Sequence, residues 1–180
     1  MPFNINSFKN NGLIWGGARP SLFEVIVTPP PNVGIESTIS MARMAFLCRA
    51  AELPEMAVSN IEIPYFGRKI KIAGDRTFSD WSVTVMNDED FVVRAMFEAW
   101  SNAINGLDDN LRNFNDASAL QYQADAQVTQ YSKTGVAIRQ YNFRNIWPMQ
   151  ISDIPLDWNQ TDTIEQFQVT FSVDYVDVTP

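Results

Sequence analysis

The decapeptide "QFQVTFSVDY", residues 166–175, sets Phe167, Val169, Phe171, Val173 and Tyr175 against Gln166, Gln168, Thr170, Ser172 and Asp174. Apolar and polar side chains alternate strictly with period two. The segment therefore predicts a ten-residue β-strand with one buried and one wet face. A sheet wet on one side is the antiparallel arrangement. The pattern recurs upstream. Trp81, Val83 and Val85 alternate with Ser82 and Thr84, and Ile61 and Ile63 flank Glu62 in a strand that Pro64 stops. Leu22 to Val27 predicts a strand halted by Pro29, Pro30 and Pro31, and two more are expected near Gln127–Lys133 and Val136–Phe143.

One helix stands out. Val93, Met96, Phe97, Trp100 and Ile104 fall at i, i+3, i+4 spacing and make one apolar stripe. It is expected to begin after Val85, with Asn87 or Asp88 as its cap. Asp90, Arg94 and Glu98 follow at four-residue steps on another face, each pair worth about 0.2–0.5 kcal/mol. Residues 32–42 are polar and predict a loop. "AFLCRAAELP", 45–54, mixes helix formers with a short apolar run and fits either helix or strand until Pro54 ends it. Residues 107–124 read as irregular. The expectation is one mainly β domain over 1–180: two packed antiparallel sheets, a sandwich or small barrel, with one flanking α-helix. Residues 1–20, rich in Asn and Gly, are expected to be a flexible arm.

With hydrophobic residues at 46% and charged residues at 19%, the chain has the composition of a folded globular protein. No apolar run approaches the roughly 18 residues of a membrane span, so no membrane anchor is expected. The N-terminus lacks the basic and apolar regions of a secretory signal. The single cysteine, Cys48, excludes an internal disulfide and reads as a small core residue. The chain has no histidine. That removes Ser-His-Asp and Cys-His catalysis and the common zinc sites. Glycine-rich phosphate motifs are absent too, which leaves only carboxylate chemistry. The dense carboxylates, Asp88-Glu89-Asp90, Asp108-Asp109 and Asp153 to Asp162, sit beside turns or helix starts, where acidic residues are expected on electrostatic grounds. The composition points to a protein that is not an enzyme, with no catalytic residue, metal or cofactor.

Charge is polarised along the chain. Residues 1–87 carry eight basic and seven acidic side chains, residues 88–180 five and fourteen. Four of the basic residues lie in "FGRKIKIAGDR", 66–76. There Ile70 and Ile72 alternate with Lys69 and Lys71, so the lysines share one face of an extended segment between Gly67 and Gly74. A phosphate cradle would lead directly into a helix N-terminus, and none follows. The basic residues are expected to line one face of a hairpin.

Four segments together, "LCRAAELP", "VSNIEIPYFGRKIKIAGDRTFSDWSVTVMNDEDFVVRAMFEAW", "YNFRNIWPMQISDIPLDW" and "IEQFQVTFSVDYV", resemble the tail tube protein family of contractile-tailed bacteriophages. The likeness runs from about Phe46 to Val178 and is most specific over "PYFGRKIKIAGDRTFSDW". The resemblance implies a structural virion protein that self-assembles into hexameric rings, stacked as a tube inside a contractile sheath. The tube is the conduit for genome ejection, with DNA passing through but not bound. The implied partners are other copies of the chain, the sheath protein, and baseplate and tail-terminator proteins. Assembly would occur in the host bacterial cytoplasm.

By the same resemblance, Pro64, Tyr65, Gly67, Arg68, Lys69, Lys71, Gly74, Asp75 and Arg76 are the expected contacts between subunits or rings. The helix would face the sheath, making Glu89, Asp90, Arg94, Glu98 and Asp108 docking candidates. The wet face of Gln166, Gln168, Thr170, Ser172 and Asp174, or that of Ser82 and Thr84, would line the lumen. A tube subunit of a bacterial contractile injection system and a monomeric β-sandwich binding module are the alternatives; the first shares the architecture, the second predicts a monomer with a pocket.

Overall fold

The computed structural model describes residues 5–14, 16–33, 37–109, 111–112 and 121–179. Nine strands are present among them: β1 (Phe23–Thr28), β2 (Cys48–Ala51), β3 (Met56–Tyr65), β4 (Arg68–Phe78), β5 (Trp81–Met86), β6 (Ala124–Tyr131), β7 (Ala137–Ile151), β8 (Gln166–Ser172) and β9 (Tyr175–Thr179). The helices are α1 (Ile5–Asn11), α2 (Ser37–Leu47) and α3 (Val92–Ile104). Every strand pairing is antiparallel.

The pivot is β7. Its first part pairs with β6 and β9 and its last part with β8. One long strand thus belongs to two sheets, β1-β6-β7-β9 and β7-β8-β5-β2. It turns from one to the other around Asn145, whose φ is 55° and whose N–H donates to Asp125 Oδ1 at 3.3 Å. The sheets close over aromatic rings: Trp81 of β5 stacks on Phe143 of β7 at 4.2 Å and lies 5.4 Å from Phe171 of β8. From α3, Phe97 meets Phe167 and Phe171 edge-on at 6.4 and 5.7 Å. Both core tryptophans satisfy their only donor, Trp81 to Glu52 O at 2.9 Å and Trp100 to Tyr122 O at 2.8 Å.

Five expectations need correction. The alternating decapeptide is two strands. The chain bends at Val173–Asp174, and β9 leaves for the other sheet with its parity shifted: Val176 and Val178 turn inward and Tyr175 outward. Period two alone cannot register such a bend, since the bend is enforced by pairing with a distant strand. The stripe helix starts at Val92, later than expected, because Asn87 is still held to the sheet by two hydrogen bonds to Glu165. Its cap is Phe91 in the left-handed region, with no side-chain cap bond.

That helix also has company. α2 begins inside the stretch read as a loop, with residues 34–36 lying outside the described ones. It buries Met44 and packs on β1 and α3. The ambiguous "AFLCRAAELP" is both things at once, helix to Leu47 and strand from Cys48. Finally, Pro64 and Gly74 lie inside β3 and β4, where they had been expected to end strands. Within the expected arm, residues 5–11 form α1.

Candidate assembly surfaces

The first surface is the hairpin of β3 and β4, which among the described residues pair only with each other. Its turn is Phe66-Gly67, with φ of 43° and 80°. Positive φ at both central residues is the sign pattern of a type I′ turn, which matches the twist of two-residue hairpins. Glycine takes it freely; for phenylalanine the left-handed region costs roughly 1–2 kcal/mol. Yet the Phe66 ring is 92% exposed, edge-on to Tyr65 at 4.7 Å.

Register then sorts the faces. Ile61 opposes Ile72 and Ile63 opposes Ile70, while Glu62 opposes Lys71 and Pro64 opposes Lys69. One face therefore carries the four isoleucines and, at the tip, Tyr65 opposite Arg68. The other is mostly charged, with Lys69 Nζ donating to Glu62 Oε2 at 2.6 Å, so the basic residues do not all share one face as expected. Each of the four isoleucines is roughly half exposed, so no other element among the described residues covers the apolar face. Pro64 is tolerated because β3 has a free edge. Gly74 sits opposite the irregularity between Val58 and Asn60, where a Cβ would meet Ser59 O and Ile61 Cγ1 at 3.2 Å. All nine expected contact residues thus fall on this one element: Pro64, Tyr65, Gly67, Arg68, Lys69, Lys71, Gly74, Asp75 and Arg76.

The second surface surrounds α3. Asp88 and Asp90 pair with Arg43 of α2, so Asp90, which lies in the turn before α3 and not on the helix face expected for it, ties that turn to α2. Arg94 is similarly occupied. Its Nε donates to Glu98 Oε1 at 2.7 Å, its Nη1 to Ser152 O at 3.3 Å, and its guanidinium lies 5.3 Å from the Phe167 ring centre. Glu89, Glu98 and Asp108 present exposed carboxylates.

The third surface is the outer face of the β8 sheet. Gln168 opposes Thr84, and Thr170 opposes both Ser82 and Gln150, with Ser82 Oγ 3.2 Å from Thr170 Oγ1. Gln166 and Ser172 continue this uncharged row along β8. Asp174 does not belong to it; it lies in the bend, accepting from Asn145 Nδ2 at 3.0 Å.

The outer face of the other sheet, missed in the sequence, is charged and cross-linked. Arg144 Nη1 donates to Asp125 Oδ2 at 2.6 Å and its Nε to Asp177 Oδ2 at 3.3 Å, tying β6, β7 and β9; the two carboxylates, Asp125 foremost, push its pKa up. Tyr131 donates to Glu24 Oε2 at 2.6 Å, and that bond pushes the phenol up. No sequence signal was available, since the partners lie 19 to 107 residues apart.

Three comparisons bear on these surfaces. A family model described as "Phage tail tube protein" matches residues 18–177. "Tail tube protein gp19" of Enterobacteria phage T4 is 33% identical over 159 residues, 88% of this chain and 90% of that protein. The fold is similar to that of the anti-feeding prophage cap, described as a tube terminating cap, with a TM-score of 0.64, 14% identity and 91% of each chain covered. It is also similar to a chain of the PVC sheath-tube complex of an extracellular contractile injection system, with a TM-score of 0.60, 13% identity, and 98% and 97% covered.

Proposed function

The chain belongs to the phage tail tube protein family, and from that premise we propose how its surfaces build a tube. It is a structural protein of the contractile phage tail, and its place is the virion tail. The observation that carries the assembly reading is the uncovered isoleucine face of the β3–β4 hairpin. A lone two-stranded hairpin is marginal in water, and an apolar face on it needs a partner. The partner is the next copy of the chain. Contact between two different patches is head-to-tail, and it closes into rings when the rotation allows. Six copies close the ring, and rings stack through the same basic hairpin.

The uncharged row of Gln166, Gln168, Thr170 and Ser172 faces the lumen, where genome passes. Several lysine or arginine contacts to phosphate would hold DNA strongly, and this face offers none. The α3 side faces the sheath, and the tube ends meet baseplate and terminator proteins. Assembly takes place in the host bacterial cytoplasm. The test is electron microscopy of the purified protein at low salt: tubes or six-membered rings are expected. A protein that stays monomeric at high concentration overturns the assembly reading.

A further inference from the structure

Between β7 and β8 the chain runs through "SDIPLDWNQTDTIE", residues 152–165, with Asp153, Asp157, Asp162 and Glu165 and no basic side chain. Ile154 packs against the core, but three other apolar residues stay out of it: Leu156 is 82% exposed, Trp158 99% and Ile164 65%. With Ile154 and Pro155 they line an open groove of about 530 Å³. The segment is pinned. Asp157 Oδ1 accepts from the Asn159 N–H and Nδ2, each at 2.9 Å, while Ser152 and Gln168 exchange two hydrogen bonds at 2.8 and 2.9 Å. Trp158 is thus presented outward by a fixed turn.

We propose that this groove receives the hairpin tip of a second copy of the chain. Tyr65 and Phe66 pack beside Trp158, while Arg68 and Lys71, on opposite faces of the hairpin, meet Asp153 and Asp162, which flank the groove next to its lining residues Ile154 and Thr163. The inference rests on the reading of the hairpin as a subunit contact and names the surface that accepts it. The two patches match in both chemistries. The hairpin carries Arg68, Lys69, Lys71 and Arg76 against only Glu62 and Asp75, and its tip is aromatic; the acceptor is acidic and aromatic. Charge also selects between grooves. A second apolar groove, lined by Leu13, Ile14, Leu22 and Ile138, carries Arg19 and Lys133, which would repel the hairpin's cations. A strained, solvent-facing Phe66 is what a tip kept for docking would look like.

The test is a charge-reversal cycle on the full chain, read as the sedimentable assembled fraction with tubes or rings verified by electron microscopy. Arg68→Glu with Lys71→Glu, and separately Asp153→Lys with Asp162→Lys, should each lower that fraction about tenfold. All four changes in one chain should restore it. Asp157 is left alone because it holds the turn. Unchanged thermal unfolding shows that the variants fold, and a photo-crosslinker at position 66 gives a second readout in the otherwise parent chain. It should join a second copy within residues 152–165. Loss without restoration in folded variants, no loss at all, or crosslinks to residues 12–22 or 131–138 would each overturn the groove assignment while parent tubes still form. A parent chain that forms neither tubes nor rings overturns the assembly reading itself.

Discussion

At the scale of single residues, burial sets chemistry. Cys48 is 9% exposed, its Sγ donates to Ala50 O at 3.6 Å, and burial pushes the thiol from 9.0 up to about 12. It is therefore a protonated core residue at neutral pH, with little of the thiolate needed for reactivity. The sign of its contribution follows by linkage. Below pH 9 both folded and unfolded chains keep the proton, and stability is unaffected. As pH rises from 9 towards 12 only the unfolded thiol ionises, so folding loses stability at up to about 1.4 kcal/mol per pH unit. The urea midpoint of the parent should therefore fall faster than that of Cys48→Ala between about pH 9 and pH 10.5. Below pH 8 their difference should be flat. Parallel curves throughout would mean that the thiol reaches water in the folded state.

At the scale of elements, the hairpin is separable from the core because β3 and β4 pair only with each other. Gly74→Val tests that separation. The new side chain would collide with Ser59 and Ile61, disturbing the hairpin where its register already shifts. The expected result is unfolding in urea within about 0.5 kcal/mol of the parent, with tube formation lost. Normal tubes would show that hairpin shape does not matter to assembly. The elements also show what was legible in the sequence. Trp81, Val83 and Val85 alternate into the core as read, and Val93, Met96, Phe97 and Trp100 are the buried stripe. Local periodicity carries such elements because the buried face is a property of the segment itself. The bend at Val173–Asp174, the helix end at Leu47 and the late start of α3 depend on distant partners, and no local pattern encodes those. The lysine face of the hairpin was readable from Lys69 and Lys71, whereas of the two bracketing glycines, Gly67 and Gly74, only Gly67 takes the turn. Phe66-Gly67 lacks the Asn-Gly signature of a two-residue turn, and Gly74 offered a false one. Trp158 went unnoticed because a sequence does not say which aromatic residue will fail to find the core.

At the scale of the whole molecule, charge is segregated, with residues 88–180 carrying fourteen acidic side chains against five basic ones. A sheath must grip the tube before contraction and release it afterwards, which suits many weak polar contacts better than one large apolar interface. Around α3 the structure separates carboxylates that are engaged from those that are available. Asp90 is held by Arg43, and Arg94 is committed to Glu98, Ser152 and Phe167. Asp90 and Arg94 are therefore poor docking groups, and changing either would disturb the fold. Glu89 and Asp108 are exposed, and Glu98, although it accepts from Arg94, keeps more than half of its side chain in solvent. Each such contact is worth at most about 1 kcal/mol, but it repeats on every subunit along the tube. Replacing Glu89, Glu98 and Asp108 by lysine together should leave bare tubes normal in length and appearance, because none of the three lies on the hairpin or the 152–165 groove. Sheath protein should then fail to polymerise on those tubes at ordinary salt. The parent should show a graded version of the same loss as salt rises and screening shortens to about 8 Å at 0.15 M. Sheath that still assembles on triple-lysine tubes would place its docking surface away from α3, and would leave Glu89, Glu98 and Asp108 as the solvated flank of the helix.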